Sequence, residues 1–330
     1  MKESRRQKIS IIIPTCNGGH FLKDLLAGIF SQAVLPDEVI IIDSCSTDCT
    51  VDSARKFAAA SYPVKLMQVP KADFGHGKTR NLAASCAEGD LLVFVTQDAL
   101  PAHPQWLKNL TEPFLENDDA ACVFGRHLPR PGCNPIIARD IEKHFRSFGS
   151  EPYLRQKVDW TDRSDVEKYR KRLGWYCFNS NVNSAVRKSA WEKIRFKDVI
   201  YAEDQLFGKD VIEAGYAKIY ARHAEVFHSH SYSLLDFFRR YFDEYRGRKI
   251  SLKQGAKSNL FLIVPVVMAA TLIEIFYIIR STENRKLFWC LYAPLYHLCR
   301  QSGAWLGEHY ERIPIALQKL LSLEGQGVQR

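Results

Sequence analysis

Paired cysteines are missing from this sequence. The 330-residue chain has nine cysteines, an odd number, and they occur as scattered single residues without C-x-x-C spacing. A structural zinc ribbon needs such pairs, and a small disulfide-stapled domain needs an even set. The cysteine pattern therefore excludes both, and it indicates a protein that folds in a reducing cytosol.

Nucleotide-binding glycine loops and a secretion signal are missing as well. The loop after the first predicted strand reads Asn17-Gly18-Gly19-His20, which does not fit the G-x-G-x-x-G of a dinucleotide site, and no Walker A loop occurs. The opening residues MKESRRQKIS are basic and lead into a strand without the apolar core of a signal peptide. We therefore expect neither a Rossmann dinucleotide enzyme nor a P-loop enzyme, and we do not expect secretion.

The chain does have the composition of a folded protein with excess positive charge. Apolar residues make up 46% and charged residues 25%, which favours a globular fold over disorder. The 46 Lys and Arg exceed the 37 Asp and Glu, and the formal charge of +9 suits a phosphate-bearing ligand, an anionic membrane or nucleic acid. Because no nucleic-acid-binding module is found, nucleic acid is not an expected partner.

Predicted strands and helices alternate in the N-terminal third. Short β-branched runs are separated by segments with apolar residues at helical spacing, which is typical of βαβ units. Such units predict an α/β fold with a doubly wound, mostly parallel sheet, whose ligands bind at the carboxyl ends of the strands. The predicted strands are residues 8–14, 38–42, 64–69 and 91–95, and the predicted helices are residues 21–33, 50–60 and 77–87.

Short polar side chains follow three of these strands. In a single loop, such residues would serve as ordinary helix caps. Three such loops at one sheet edge indicate a ligand site instead, because parallel strands deliver their ends to the same edge. The residues are Pro14, Thr15 and Asn17 after the first strand, Asp43 and Ser46 after the second, and Thr96, Gln97 and Asp98 after the fourth.

Five motifs, in their order and spacing, resemble the inverting nucleotide-sugar glycosyltransferases of family 2, which have the GT-A fold. In that family the fourth strand ends in Asp-x-Asp, which meets a divalent metal and the nucleotide diphosphate; here Thr96 holds the first position and only Asp98 remains. The variant motifs resemble bacterial rhamnosyltransferases most closely. The motifs, within residues 8–235, are SIIIPTCNG, DEVIIIDSCSTDCT, DFGHGKTRNLAA, FVTQDALP and YAEDQLFGKDVIEAGY.

The resemblance implies dTDP-L-rhamnose as donor and a lipid-linked O-antigen or capsular glycan as acceptor. It also implies a divalent metal, Mg²⁺ or Mn²⁺, held by Asp98 together with His228 or His230 of HSHSYSL. Carboxylate oxygen suits both ions and neutral imidazole suits Mn²⁺. A histidine beside a predicted strand is also often an ordinary surface or core residue. A purely structural role for His228 and His230 is therefore the alternative to metal binding.

The motif GHGKTRN supplies positive charge for the donor diphosphate. Arg80 offers a forked set of donors and Lys78 a point charge, while His76 lies between two glycines that allow close backbone approach. The polar residues after the first two strands are placed to hold the base and ribose. The alternative is a glycine-bearing helix start with solvated cations.

Catalysis with inversion requires one general base for the acceptor hydroxyl. The resemblance assigns this role to Asp204 of the Glu-Asp motif, with Glu203 as second choice, although two carboxylates at a helix start also favour the helix dipole. Predicted acceptor contacts are Trp175, Phe178 and Asn179, for which core packing is the alternative.

The sequence changes character after residue 235. We predict a catalytic domain over residues 1–235 and a helical, membrane-associating region over residues 236–330. The apolar run 259–279 is long enough to span a membrane, but Pro265 and Glu274 oppose an unassisted span. We expect a cytoplasmic protein, peripheral on the inner face of the membrane, whose basic stretches 239–253 and 280–286 meet anionic lipid. A true span is the alternative.

Two functional alternatives remain at this stage. The sequence does not identify the nucleotide, so the same fold could use a UDP- or GDP-linked sugar. Because Thr96 departs from the metal motif, a GT-A protein that binds its ligand but is catalytically impaired is the second alternative.

Overall fold

The computed structural model describes residues 6–253, 259–281 and 284–323. The start of the basic N-terminal stretch and part of the basic stretch 280–286 lie outside these residues. The chain forms two compact units. The first takes the described residues of Met1–Arg130, Ile141–Asp198 and Glu203–His228, and the second those of Pro131–Asp140, Val199–Ala202 and Ser229–Arg330. The division at residue 235 into two domains stays a prediction.

One mixed β-sheet organises the first unit. Its strand order is β3-β2-β1-β4-β8-β6-β9-β5, with β7 paired to β9. Runs such as the EVIIID of β2 form strands because β-branched residues favour the pleated backbone. The strands are β1 Ile9–Thr15, β2 Glu38–Asp43, β3 Val64–Gln68, β4 Leu91–Val95, β5 Leu100–Pro101, β6 Ala120–Leu128, β7 Tyr153–Gln156, β8 Asn183–Arg187 and β9 Ala217–Phe227.

Helices connect the strands of the first unit, and helices also form the second unit. The helix α6 starts in the second unit and ends in the first. Short 3₁₀ helices lie at Lys71–Asp73, Leu260–Leu262 and Tyr310–Arg312. The α-helices are α1 Gly19–Phe30, α2 Thr50–Ala59, α3 His76–Ser85, α4 Trp106–Thr111, α5 Pro113–Glu116, α6 Pro135–Arg146, α7 Arg163–Lys171, α8 Leu173–Cys177, α9 Lys188–Trp191, α10 Glu203–Glu213, α11 Leu234–Leu252, α12 Ile263–Arg280, α13 Lys286–Glu308 and α14 Ile315–Leu321.

The α/β prediction is confirmed, but the sheet is less parallel than expected. Strands β1 to β4 are parallel, as the strand–helix alternation predicts. Beyond them the sheet is mixed. Strand β8 is antiparallel to both β4 and β6, and β5 and β7 are antiparallel to β9, while β6 is parallel to β9. The expectation failed there because it rested on the βαβ repeats of residues 8–95, and the later strands are not joined by such repeats.

Both faces of the sheet are buried, as a doubly wound fold requires. Successive residues of a strand point to opposite faces. Ile11 and Ile13 of β1 therefore join the core under α1 and α4, while Ile12 joins the core under α3 and α10. Each of these isoleucines is fully buried, which contributes roughly 1.5–3 kcal/mol per side chain.

The second unit is helical, and small residues and ion pairs hold it together. Gly303 and Gly307 let α13 approach α11 closely, since an added Cβ would lie 2.4 Å from the carbonyls of Phe238 and Phe242 respectively. Leu260–Arg280 is long and apolar enough to cross a membrane, and most of it is exposed. Its Glu274 is buried and pairs with Arg139 at 2.6 Å.

Candidate active site

The loops after β1 and β2 are tied together by a buried carboxylate. Asp43 lies opposite Thr15 in the parallel register and accepts a hydrogen bond from its hydroxyl at 2.9 Å. The other oxygen of Asp43 accepts the backbone N–H of Ser46 at 2.9 Å. Asp43 is fully buried, so it shapes both loops. Contact of Thr15, Asp43 and Ser46 with a nucleotide stays a prediction.

Asn17 and Gln97 bring the loops of three strands together. Asn17 has a φ of 50°, a left-handed conformation that asparagine tolerates, and its side chain accepts the N–H of Thr47 at 2.8 Å. Gln97 accepts the N–H of Cys16 at 2.9 Å and donates to its carbonyl at 3.0 Å. The structure thus places the predicted polar residues at one sheet edge; Pro14 is the exception, since it lies inside β1.

Asp98 and His228 form the candidate metal site in the first unit. Their Oδ2 and Nε2 atoms lie 3.4 Å apart, and each side chain is 15% exposed. One carboxylate oxygen and one imidazole nitrogen are donors that fit Mn²⁺, and the oxygen also fits Mg²⁺. The hydroxyl of Thr96 is buried, with no hydrogen-bond partner among the described residues. His230 belongs to the second unit, is exposed, and stacks on Tyr232.

Arg80 and Glu203 form a buried ion pair that the sequence did not predict. Arg80 Nη1 lies 2.9 Å from Glu203 Oε1, and the two side chains are only 7% and 8% exposed. Arg80 also donates to the carbonyl of His76 at 3.0 Å. The predicted contact of Arg80 with a diphosphate stays a prediction, but the structure commits this guanidinium to Glu203. Lys78 remains exposed, 3.4 Å from Asp73.

Asp204 differs from its neighbour Glu203 in what surrounds it. Its Oδ1 accepts the N–H of Gln205 at 2.8 Å and its Oδ2 that of Asn181 at 3.2 Å. Burial raises the pKa of Asp204 to about 7, and the negative charge of Glu203 adds to this, while Arg80 opposes it. A carboxylate with such a pKa can accept a proton near neutral pH, as a general base must.

Sequence reasoning missed two residues of this site. Asn181 precedes β8, and its side chain donates to Glu203 at 3.4 Å while its backbone holds Asp204. Arg130 follows β6 and donates through Nη2 to the carbonyl of Asp98. No local pattern marks Asn181, because Glu203 and Asp204, its partners in the site, lie more than twenty residues away. Arg130 lies in a stretch rich in charged and aromatic residues, 130–175, where no local pattern distinguishes it from its neighbours.

The three predicted acceptor residues lie in or next to aromatic packing. Trp175 stacks on Phe148 with ring centroids 5.7 Å apart, and Phe178 packs edge-on to Phe124 at 5.4 Å. Asn179 is 1% exposed, and its amide atoms have no hydrogen-bond partner among the described residues. In this structure Asn179 does not have the accessible position that an acceptor contact needs, because Gly208 of α10 packs against it.

Comparison with known proteins gives a family match and relatives that align over nearly the whole chain. The family model for glycosyl transferase family 2 matches residues 10–195. The O-antigen chain rhamnosyltransferase RfbN of Salmonella typhimurium is 32% identical over 324 residues, which cover 96% of this chain and 94% of that protein. The O-antigen chain rhamnosyltransferase WbaN of Salmonella anatum is 30% identical over 326 residues, or 95% of this chain and 93% of that protein.

A solved structure shares the fold. The mannosyltransferase PcManGT from Pyrobaculum calidifontis, in complex with GDP-Man and Mn²⁺, superposes with a TM-score of 0.60 at 17% identity and covers 94% of this chain and 89% of its own. This likeness confirms the predicted GT-A architecture. Taken with the family match and the full-length relatives, it shows that the chain is a glycosyltransferase and belongs to glycosyl transferase family 2.

Proposed function

We propose that this enzyme transfers L-rhamnose, with inversion, from dTDP-L-rhamnose to a hydroxyl of a lipid-linked O-antigen or capsular glycan. The sugar and the acceptor class are supported by two relatives over nearly the whole chain, both O-antigen chain rhamnosyltransferases. The alternative is a GDP- or UDP-linked donor, and the GDP-Man bound to the structural neighbour keeps it open.

One observation carries the chemistry: the raised pKa of Asp204 beside Glu203, which is ion-paired with Arg80. Asp204 takes the proton of the acceptor hydroxyl as that oxygen attacks the anomeric carbon from the face opposite the diphosphate. The new C–O bond forms as the bond to the diphosphate oxygen breaks, and both electrons of that bond leave with the nucleoside diphosphate. Glu203 serves this step poorly, because its charge is already satisfied by Arg80 and Asn181.

Asp98 and His228 would hold the divalent metal, with His230 as a further proposed ligand. Their donor atoms suit Mn²⁺ or Mg²⁺, and the 3.4 Å separation allows both to reach one ion after a small adjustment. When bound, such an ion neutralises negative charge on the departing diphosphate. The remaining carboxylate of the motif, Asp98, therefore carries the metal contact that Thr96 cannot supply.

We also propose that the second unit rests on the cytoplasmic face of the membrane, where a lipid-linked acceptor would be met. Many apolar side chains of α12, α13 and the short helix before α12 are exposed, and Phe261, Leu287 and Leu291 are 86%, 76% and 67% exposed. An apolar surface of this kind on a folded unit indicates contact with a protein or a membrane. The Glu274–Arg139 ion pair supports a helix that lies in the interface over one that spans.

A donor panel tests the proposed function. The full chain is assayed for thermal stabilisation and for sugar transfer with dTDP-rhamnose, UDP-sugars and GDP-mannose, each with and without Mn²⁺. We expect stabilisation by dTDP-rhamnose that increases with Mn²⁺, because a ligand that binds only the folded state raises its stability. A response confined to GDP-mannose overturns the donor assignment.

Variants separate the chemistry from binding. We expect Asp204→Asn to retain donor binding and to lose about 10²- to 10⁴-fold in kcat, the usual contribution of a general base. We expect Asp98→Ala to lose the Mn²⁺-dependent part of the stabilisation. Full turnover by Asp204→Asn would refute its role as the base.

A further inference from the structure

A fully buried lysine lies in the sheet of the first unit. Lys218 of β9 is opposite Cys122 of β6 and Gln156 of β7, and it is 0% exposed. Burial lowers the pKa of its ammonium group to about 8, while Cys122 and Cys177 act in the opposite direction. No carboxylate pairs with Lys218 in the part of the chain that the structure describes. Because a buried cation is costly without a partner, its remaining contacts must compensate.

The ammonium group of Lys218 binds the end of helix α8 through the main chain. Its Nζ donates to the carbonyl of Tyr176 at 2.6 Å and also to the carbonyl of Phe178. Gln156, which lies opposite Lys218 on β7, donates to the carbonyl of Trp175 at 3.2 Å. The last carbonyls of a helix have no partner within the helix, so these donors from the sheet satisfy them. Two side chains of the sheet therefore fix where α8 ends.

The same stretch of main chain also contacts α10. The carbonyl of Cys177 would lie only 2.5 Å from a Cβ added to Gly208, so the chain and the helix approach closely there. Asn181 follows four residues later, and its N–H donates to Asp204 Oδ2 at 3.2 Å. The position of the chain after α8 therefore decides whether the Asn181 N–H reaches Asp204.

The Asn181 N–H bond affects the proposed base directly. Burial and then the charge of Glu203 raise the pKa of Asp204 to about 7, while Arg80 and the N–H groups of Asn181 and Gln205 lower it. A hydrogen bond to a carboxylate favours its ionised form, so without the Asn181 bond Asp204 would keep its proton to higher pH. The carboxylate would also lose one of the contacts that hold it in place.

We propose that Lys218 is a positioning residue for the reaction, because it holds the end of α8 so that Asn181 stays hydrogen-bonded to Asp204. This inference rests on the proposed function, in which Asp204 is the base. Lys218 has no described contact with Asp204, and it acts on the carboxylate only through the main chain of residues 176–181.

The pH profile of Lys218→Met tests this role. The variant and the wild type are assayed as the full chain, with dTDP-rhamnose and Mn²⁺, by the release of dTDP. We expect the acidic limb of kcat/KM to move to higher pH by about one unit, because ionised Asp204 loses one hydrogen bond. The value of kcat at neutral pH should fall about 10- to 100-fold, the effect of a misplaced catalytic group, while the affinity for dTDP, measured by calorimetry, stays that of the wild type.

Lys188→Met is the matched control. Lys188 also donates through Nζ to a main-chain carbonyl of the first unit, that of Ala87, at 2.6 Å. It follows the end of β8 that pairs with Leu91, the first residue of β4, so it lies at the end of the sheet opposite to Asp98. Its replacement should reduce stability, measured by urea unfolding, without moving the acidic limb.

An unmoved limb in Lys218→Met, or an equal shift in Lys188→Met, overturns the positioning role. If Lys218→Met does not fold, Lys218→Gln decides in its place, because its amide keeps N–H donors but is shorter than the lysine. A smaller shift in the same direction is then expected, and an unmoved limb overturns the role. If the wild type has no acidic limb, or Asp204→Asn keeps full turnover, the proposed base fails and this inference fails with it.

Discussion

Two adjacent carboxylates at the start of α10 have opposite surroundings. Glu203 is buried against Arg80 and Asn181, while Asp204 is held by two backbone N–H groups and keeps partial exposure. The sequence predicts an acidic pair but gives no physical reason to prefer one member. The contacts do, because burial and then the negative charge of Glu203 raise the pKa of Asp204, whereas the Glu203 carboxylate is committed to Arg80 and Asn181.

The pH dependence of the reaction follows from this arrangement. Asp204 must be ionised to act as a base, so kcat/KM should fall as the pH drops below about 7, where burial and Glu203 have placed its pKa. Glu203→Gln removes a nearby negative charge and leaves the positive charge of Arg80, and both changes favour ionised Asp204. The acidic limb of the pH profile should therefore move to lower pH.

The measurement is kcat/KM against pH for the wild type and Glu203→Gln, with donor saturation checked at each pH. The conservative change Glu203→Asp keeps the negative charge and serves as the control. The acidic limb of its pH profile should lie close to that of the wild type. A limb that stays in place, or that moves to higher pH, in Glu203→Gln would contradict the assignment of Asp204.

At the scale of elements, the helix α10, which carries the proposed base Asp204 and its neighbour Glu203, is held by a close backbone approach. Gly208 faces the loop after α8, and an added Cβ would lie 2.5 Å from the carbonyl of Cys177 and 3.1 Å from the Cβ of Asn179. A side chain larger than hydrogen therefore cannot fit without moving α10. Since Asn181 of the same loop donates to Asp204, a shift of α10 also changes the site.

We expect Gly208→Ala to destabilise the first unit by about 1–3 kcal/mol, as overpacking does, and to reduce kcat as well. Urea unfolding and steady-state kinetics measure the two effects. Gly174→Ala is the matched control, because no atom lies within 4 Å of the added Cβ there. Equal stability of the two variants would show that α10 can move at little cost.

The second unit depends on a buried charge in an otherwise apolar helix. Glu274 is 3% exposed and pairs with Arg139 at 2.6 Å. Removing one partner leaves an uncompensated buried charge, so Arg139→Met should cost about 3 kcal/mol. The double variant Arg139→Met/Glu274→Met removes both charges and should recover most of the loss. Thermal unfolding measures this cycle, and a double variant no more stable than the single one would contradict the ion-pair explanation.

At the scale of the whole molecule, the first unit contains the proposed base and the polar loops, and the second contains most of the large exposed apolar side chains. The sheet, the polar loops and the Glu203–Asp204 pair belong to the first unit. The exposed side chains of α12 and α13 belong to the second unit, which also contains basic residues such as Arg280 and Arg285 near the ends of these helices. Apolar side chains flanked by cations are suited to a membrane interface with anionic lipid.

We expect the full chain to bind vesicles that contain anionic lipid and to bind them less tightly at high salt. Phe261→Asp/Leu287→Asp should lose most of this binding, while Leu115→Asp, an exposed leucine of α5 in the first unit, should not. Flotation with vesicles measures the bound fraction. Equal flotation of the two variants would exclude α12 and α13 as the membrane surface.

The sequence by itself determined the parallel half of the sheet, the loops at its edge and the apolar helix α12. These features follow from local patterns, namely β-branched runs, helical spacing and motif order, which act over a few residues. Even there the limits of the elements shift slightly, since α1 ends at Phe30, three residues before the predicted end.

Only the tertiary structure decided the electrostatics of the site. Arg80 and Glu203 are 123 residues apart in sequence, and their pairing is visible only when α3 and α10 pack together. The mixed half of the sheet, the approach of Arg130 to Asp98 and the burial of Asn179 are equally non-local. Charge compensation and burial depend on which distant segments come into contact. A sequence motif can therefore identify the residues of a site, but it cannot predict which of their charges are paired or buried.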